Sequence, residues 1–389
     1  MQVFDPSPLP RKNYMAPAGY ECLKLAHANQ IILPLTIAHE CGQAFRWRRV
    51  AVPAPTGHRL EWSLCLPDRV VFVQHDPQEQ CLYHRSEYRG KPRPISTAEW
   101  LHDYLNLGKP TNAWYREWCE RDPIFARHAA RFAGVCILRQ DPWECMCSFI
   151  CSSNNNIARI SQMVHKLCDY FTEPLLTYTY PKSARRAAGT RGEIPTDEAP
   201  EPIAYHPFPA PTRLSMPDVE PRLRELGFGY RAKFIAGTAR ALCDRARQQL
   251  EQKSAPADDA EINAAVYAYL ESLRTLDYYE ARDALMEFLG IGPKVADCIA
   301  LMSLDQHASI PVDRHVFSFA DRWYGIRKKR YEEVADRLRE IWGERAGWAH
   351  SVLFYADLRS FAGYGDADAV KKEEQEESPD APDQKRARR

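Results

Sequence analysis

The stretch Leu289-Gly290-Ile291-Gly292-Pro293-Lys294-Val295-Ala296-Asp297-Cys298, followed downstream by Pro311-Val312-Asp313-Arg314-His315, decides how this chain folds. Tyr279 to Leu289 reads as a helix, the two glycines permit tight or positive-φ turns, and Pro293 suits the first turn of a second helix. Two helices joined this way leave backbone N–H groups unpaired at the start of the second, where the positive dipole end can hold a phosphate. Gly290 and Gly292 are thus candidate contacts to a nucleic-acid backbone.

Lys294 falls in the first turn of that second helix. Cations normally gain about 0.3–1 kcal/mol at the opposite end, so the dipole here favours the neutral, nucleophilic amine. A solvated surface lysine fits the spacing equally well. Asp313 precedes the helical pattern Arg314 to Ala320 and reads as its N-cap, which is the commoner meaning of such an aspartate. Beside an amine, the same carboxylate could activate the nucleophile or stabilise positive charge on a sugar.

A chain of 389 residues that is 45% hydrophobic can bury one large or two ordinary cores. No apolar run approaches the ~20 residues of a membrane span, and residues 1–20 lack the apolar core of a secretory signal. An intracellular protein with no membrane partner is expected, its 12 cysteines reduced. Cys145-x-Cys147-x3-Cys151 has no second pair at zinc-finger spacing, and Cys151 is expected to begin a helix. Net charge is zero; the run from Asp366 holds eight acidic and six basic residues, leaving 46 basic against 44 acidic before it. A DNA partner must then meet a local patch, with Arg222, Arg224, Arg231, Lys233, Arg240 and the hairpin amides as candidates. Individually, most of these charges read as a solvated helix face.

Residues 1–20 are a proline-punctuated arm. From Leu33 to Tyr104 short alternating apolar runs such as Trp62 to Leu66 and Val70 to Val73 predict an antiparallel β region, placed at 21–112. Helical spacing dominates from Trp114 onward, as in Ile157 to Phe171 and Lys233 to Gln252, giving a helical domain over 113–180 and 204–365. Residues 181–203 read as a low-complexity insertion with little to offer a core. Residues 366–389 form a charged tail ending Lys385-Arg386-Ala387-Arg388-Arg389, read as a nuclear import signal in preference to a simple solvated end. The fold class is α+β, an N-terminal antiparallel sheet followed by a mainly helical domain.

The hairpin, Lys294 and Asp313 at this separation resemble the helix-hairpin-helix superfamily of DNA glycosylases. Three further segments resemble its 8-oxoguanine DNA glycosylases in order: Gly42-Gln43-Ala44-Phe45-Arg46-Trp47, Cys151 to Arg159, and Gly347 to Leu358. The likeness covers roughly 20–180 and 205–362. It implies a TBP-like N-terminal domain, and damaged double-stranded DNA carrying 8-oxoguanine opposite cytosine as partner. Because Cys298 is the last cysteine, the cluster-bearing relatives are excluded.

The resemblance further implies that the nucleotide leaves the stack and the gap is filled. Asn154 and Arg159 match residues that take the vacated space and contact the orphaned cytosine, with Tyr230 wedging beside it and Arg231 also reaching that base. Read without the family, the asparagine run is a cap or turn cluster. Cys298 and Phe354 match the pair sandwiching the flipped base, and Met302 and Pro311 its apolar walls; spacing alone would call the first three ordinary core. Gly42 matches the glycine whose carbonyl accepts from N7–H of the oxidised purine. His315 matches a phosphate contact.

His350 departs from the family, which usually has glutamine there. A neutral histidine donates and accepts through opposed nitrogens rather than side by side. Altered base affinity and a stronger pH dependence near neutrality are expected of it. The implied mechanism is attack of Lys294 on C1′ with Asp313 stabilising charge, a Schiff base, and a slower β-elimination 3′ to the lesion. No redox cofactor or catalytic metal is called for, although hairpin carbonyls could hold a structural cation. A monomer in the nucleus, with the mitochondrion also open, is expected. The competing readings are a noncatalytic hairpin protein gripping DNA, and a monofunctional glycosylase for another base, which would lack the lysine.

Overall fold

The computed structural model describes residues 16–27, 30–54, 57–89, 95–187, 198–250, 257–327 and 330–358. The N-terminal arm before residue 16, the centre of the 181–203 stretch and the charged tail lie outside the described residues.

Strands β1 (Glu21–Lys24), β2 (Arg48–Ala54), β3 (Gly57–Cys65), β4 (Arg69–Asp76) and β5 (Cys81–Tyr88) form an antiparallel meander in the order β1-β5-β4-β3-β2. The central β4 is buried on both faces, as its Val-Val-Phe-Val run requires. One face, carrying Trp62, Leu64, Val71 and Val73, joins the main core shared with the helices. The other, carrying Val50, Val52, Val70 and Phe72, is covered by Tyr180, Ala184 and Tyr205 from a return segment.

That segment contains β6 (Leu176–Tyr178), β7 (Arg185–Arg186) and β8 (Ile203–Tyr205). β6 pairs with β8, and β7 extends the sheet by pairing with β2. Ala184 is fully buried. The stretch 181–203, expected to contribute little core, is therefore tied to the fold at both described ends. A two-residue strand has no periodicity from which to read it.

Three further expectations are corrected. Thr97–Tyr104, placed in the β region, is a helix opened by a capping box: Ser96 accepts from the Glu99 amide and Glu99 from the Ser96 amide. Cys22 and Cys81, both expected as thiols, are joined between neighbouring strands with Cα atoms 6.1 Å apart. Cys151 lies near the end of helix Pro142–Ser152 rather than starting the next. Among the described residues no helix is long and apolar enough to cross a membrane.

The helical domain is built around Pro293–Ser303, here called the lysine helix. Every residue from Val295 to Ser303 is buried, and it packs against Pro142–Ser152, which is equally apolar around its girth. Only its first turn meets solvent, so the core holds the helix that presents Lys294.

Candidate active site

The first helix of the hairpin spans Tyr278–Met286 and its turn follows at Leu289 to Gly292. Gly290 has φ +86°, and a Cβ there would lie 2.5 Å from the Phe234 ring. Only glycine satisfies both constraints. Gly292 caps the lysine helix in extended geometry and offers no side-chain acceptor, leaving the first-turn amides to solvent or a ligand. Thr238, on helix Arg231–Leu250, donates to the Leu289 carbonyl at 3.1 Å and fixes the turn from behind.

Lys294 is half-buried, with Nζ 5.5 Å from the centre of the Phe149 ring. Asp313 caps helix Arg314–Tyr324, its Oδ1 accepting from the amides of His315 at 2.8 Å and Val316 at 3.0 Å. The two groups share a neighbourhood: both act electrostatically on Cys298 and on His350. Burial pushes the Cys298 thiol up to about 11, with Lys294 pulling the other way, so it stays protonated and is no rival nucleophile.

Cys298, Met302, Pro311 and His350 are buried and Phe354 is half-buried. Phe354 has its ring 5.9 Å from both His350 and His315. His350 is 5% exposed, and among the described residues neither ring nitrogen meets a partner in good hydrogen-bond geometry, although the Gly347 carbonyl lies close enough to act on it. Such an imidazole either costs stability or awaits a polar ligand. Burial is the main influence on it, lowering its pKa to about 4 against the opposing pull of Asp313. The expected titration near neutrality is corrected accordingly: a desolvated imidazole in this pocket remains neutral there.

Gly42 lies at φ +73° at the end of a short 3₁₀ turn, so its glycine is required by backbone conformation as well as by any close approach. Its neighbours are fastened from several directions. Gln43 donates to the Cys136 carbonyl and the Tyr355 hydroxyl, both at 2.9 Å, and accepts from the Leu138 amide. Arg46 forms a bidentate pair with Glu144 at 2.8 and 2.6 Å. Leaving one such buried charge alone costs about 3–5 kcal/mol, which keeps the segment in register.

Asn154, Arg159, Tyr230 and Arg231 come together where the Ser153–Asn154 turn meets the start of helix Arg231–Leu250. Asn154 is exposed at φ +48°, between two helices, and Asn156 caps Ile157–Phe171. The Tyr230 hydroxyl donates to the Ser153 carbonyl at 2.9 Å, and Arg159 to that of Gly227 at 3.2 Å. Arg231 is buried and donates to the carbonyls of Ser153 and Asn154. Of the expected basic patch, Arg222, Arg224 and Arg240 pair with carboxylates, leaving Lys233 as its exposed lysine. His315 bonds Asp357 at 3.0 Å, and Arg322 shares that carboxylate.

Sequence reading passed over Phe149 and assigned no role to Gln43 or Asp357, which lie within the family-like segments. Their partners lie far along the chain, and no local periodicity points to them.

Family models agree with this architecture. The 8-oxoguanine DNA glycosylase N-terminal domain matches residues 25–146, and the HhH-GPD superfamily base excision DNA repair protein matches 147–344. The chain is similar to N-glycosylase/DNA lyase OGG1 of Arabidopsis thaliana, 34% identical over 86% of this chain and 80% of that one. It is as similar to an N-glycosylase/DNA lyase of Saccharomyces cerevisiae, 34% identical over 91% of each. Among solved structures, the apo form of Clostridium acetobutylicum 8-oxoguanine glycosylase/lyase aligns with TM-score 0.59 at 26% identity, covering 84% of this chain and 93% of that one. The same enzyme, in complex with double-stranded DNA containing cytosine opposite 8-oxoguanine, shares the fold at TM-score 0.63 and 24% identity, over 88% and 96%.

Proposed function

Because the chain belongs to the 8-oxoguanine DNA glycosylase family of the HhH-GPD superfamily, we propose that it excises 8-oxoguanine opposite cytosine through Lys294 and then nicks the strand. The observation carrying this reading is the amine and carboxylate, Lys294 and Asp313, set beside the buried His350. Lys294 Nζ bonds to C1′ as the C1′–N9 bond breaks and the base leaves with the electron pair, while Asp313 stabilises the positive charge developing on the sugar. Ring opening gives a Schiff base. Loss of a C2′ proton then expels the 3′ phosphate. Borohydride added to wild-type protein on an 8-oxoguanine:cytosine duplex should leave a covalent adduct; none would end this reading.

Cys298 and Phe354 sandwich the flipped base, Met302 and Pro311 wall it, and the Gly42 carbonyl accepts from its N7–H. Cys298 and Met302 lie one turn apart on the lysine helix and the Phe354 ring packs against His350, which supports these roles. Gly290, Gly292 and His315 hold phosphates beside the lesion.

At the gap, the roles of the two arginines separate. Arg231 is committed to the Ser153 and Asn154 carbonyls and holds the turn, with Tyr230 braced beside it, whereas Arg159 is exposed and gives up a single bond to swing toward the orphaned cytosine. Asn154 fills the vacated space. Arg159→Ala should reduce the preference for cytosine over adenine opposite the lesion about tenfold, the worth of one good base contact. An unchanged ratio of excision rates would remove that role.

His350 meets the polar edge of the base as a neutral imidazole. Its folded pKa of about 4 lies below the ordinary 6.5, so the unfolded chain binds more protons in between. Stability therefore rises with pH from about 4 to 6.5 and is lost as pH falls through that window. Other buried histidines act alike in both proteins, so denaturation curves of wild type and His350→Gln at pH 7 and pH 4.5 isolate this one. The wild type should lose about 2 kcal/mol more on acidification. Parallel losses would show that His350 is not the buried neutral group described.

Acting on DNA gives the protein a DNA-associated location. The nuclear assignment rests on Lys385-Arg386-Ala387-Arg388-Arg389, outside the described residues; unaltered nuclear accumulation after deletion of that run would remove it.

A further inference from the structure

Asp297 lies on the lysine helix one turn after Lys294, fully buried. Three hydroxyls converge on its carboxylate: Tyr278 at 2.6 Å, Tyr331 at 2.5 Å and Ser309 at 3.0 Å. Each comes from a different element. Tyr278 opens the first hairpin helix, Ser309 lies in the loop leading to Asp313, and Tyr331 opens helix Tyr331–Trp342. Arg282 faces the same group at 3.7 Å and is itself paired with Glu332.

The Tyr331 hydroxyl donates a hydrogen bond to Asp297 and accepts one from the Val312 amide at 3.2 Å. Val312 immediately precedes Asp313. A chain of two hydrogen bonds thus runs from the helix bearing Lys294 to the residue beside Asp313, and Ser309, sharing its one hydroxyl hydrogen between the Asp297 carboxylate and the Asp297 carbonyl at 2.9 Å, ties the same loop to that helix. Burial and the neighbouring carboxylate push Tyr331 far up, so it remains a donor across the working pH range. Nothing in the chemistry of base release needs these groups, yet a fully buried carboxylate and the three hydroxyls that converge on it form a network that is costly to assemble unless every member is satisfied.

We propose that Asp297, acting through Tyr331 and Ser309, is a positioning residue that sets the Asp313 carboxylate against Lys294. This rests on the excision reading above. Misplacement of a reacting group by about 1 Å costs on the order of 10²-fold in rate, so a tether this close to both groups is felt in the chemical step rather than in DNA affinity.

Single-turnover excision by Tyr331→Phe, alone and with Asp313→Asn, tests the proposal. With saturating enzyme, Tyr331→Phe should slow base release about tenfold while lesion affinity stays within about twofold of wild type. In the Asp313→Asn background the same change should cost less than about twofold, because the group it positions has lost its charge. Equal losses in both backgrounds, or no loss in the wild-type background, would overturn the proposal. Should Tyr331→Phe not fold, Ser309→Ala removes a neighbouring donor with little change of volume and is read through the same cycle. Wild-type excision in the same experiment separates the readings: an inactive wild type defeats the enzyme assignment, whereas an active one with additive losses defeats only the tether.

Discussion

Lys294→Gln is expected to abolish base release and the borohydride-trapped adduct together, a loss on the order of 10³-fold or more. Glutamine keeps the length and polarity of the side chain but has no lone pair able to form the bond to C1′. The fold should be nearly indifferent, since Lys294 stands at the solvent end of the lysine helix and its contact with the Phe149 ring is 5.5 Å long. Such cation–π contacts contribute about 0.5–1 kcal/mol. Affinity for lesion DNA should likewise stay within a few-fold on the proposal that hairpin amides rather than this amine hold the backbone. The pattern matters as much as its size. An undiminished adduct would mean that another amine is the nucleophile. Lost adduct with retained base release would make water the nucleophile for base release and leave Lys294 with the strand-nicking step alone. Cys298 does not complicate the comparison, its buried thiol being pushed up to about 11.

Much of this site was legible in the sequence because local rules specify it. Gly290, Gly292 and Pro293 constrain the backbone wherever they occur, and an aspartate ahead of an apolar helical pattern caps it irrespective of tertiary context. The Ser96–Glu99 capping box was equally local, yet the alternating residues before it drew the β assignment on as far as Tyr104. What the sequence withheld is mostly long-range. The partners of Asp297 sit at 278, 309 and 331. Gln43 reaches Tyr355 across 312 residues, and the covering of the second sheet face depends on a two-residue strand. His350 shows the limit most clearly: its departure from glutamine was visible, whereas its protonation state depends on a burial that no single position reveals.

Asp313→Asn is the second change with a large expected effect, and its design follows from the cap geometry. Both amide hydrogen bonds of the cap end on Oδ1, and among the described residues none ends on Oδ2. Asparagine caps a helix as well as aspartate does, so it can keep the Oδ1 contacts while replacing the other oxygen by a neutral amide. The substitution removes charge and leaves the helix start in place. Asp313→Ala would instead mix loss of charge with loss of a cap, the latter costing about 1 kcal/mol. If the carboxylate stabilises charge on the sugar as C1′–N9 breaks, single-turnover excision by Asp313→Asn should fall on the order of 10²–10³-fold with the unfolding temperature nearly unchanged. Excision within threefold of wild type would reduce Asp313 to a cap. A large fall in both rate and stability would mean that Asn failed to reproduce the cap, and the charge would then be tested with Asp313→Glu. That change retains the carboxylate at the cost of cap geometry, so a stability loss accompanied by substantial excision would assign the catalytic effect to the charge itself.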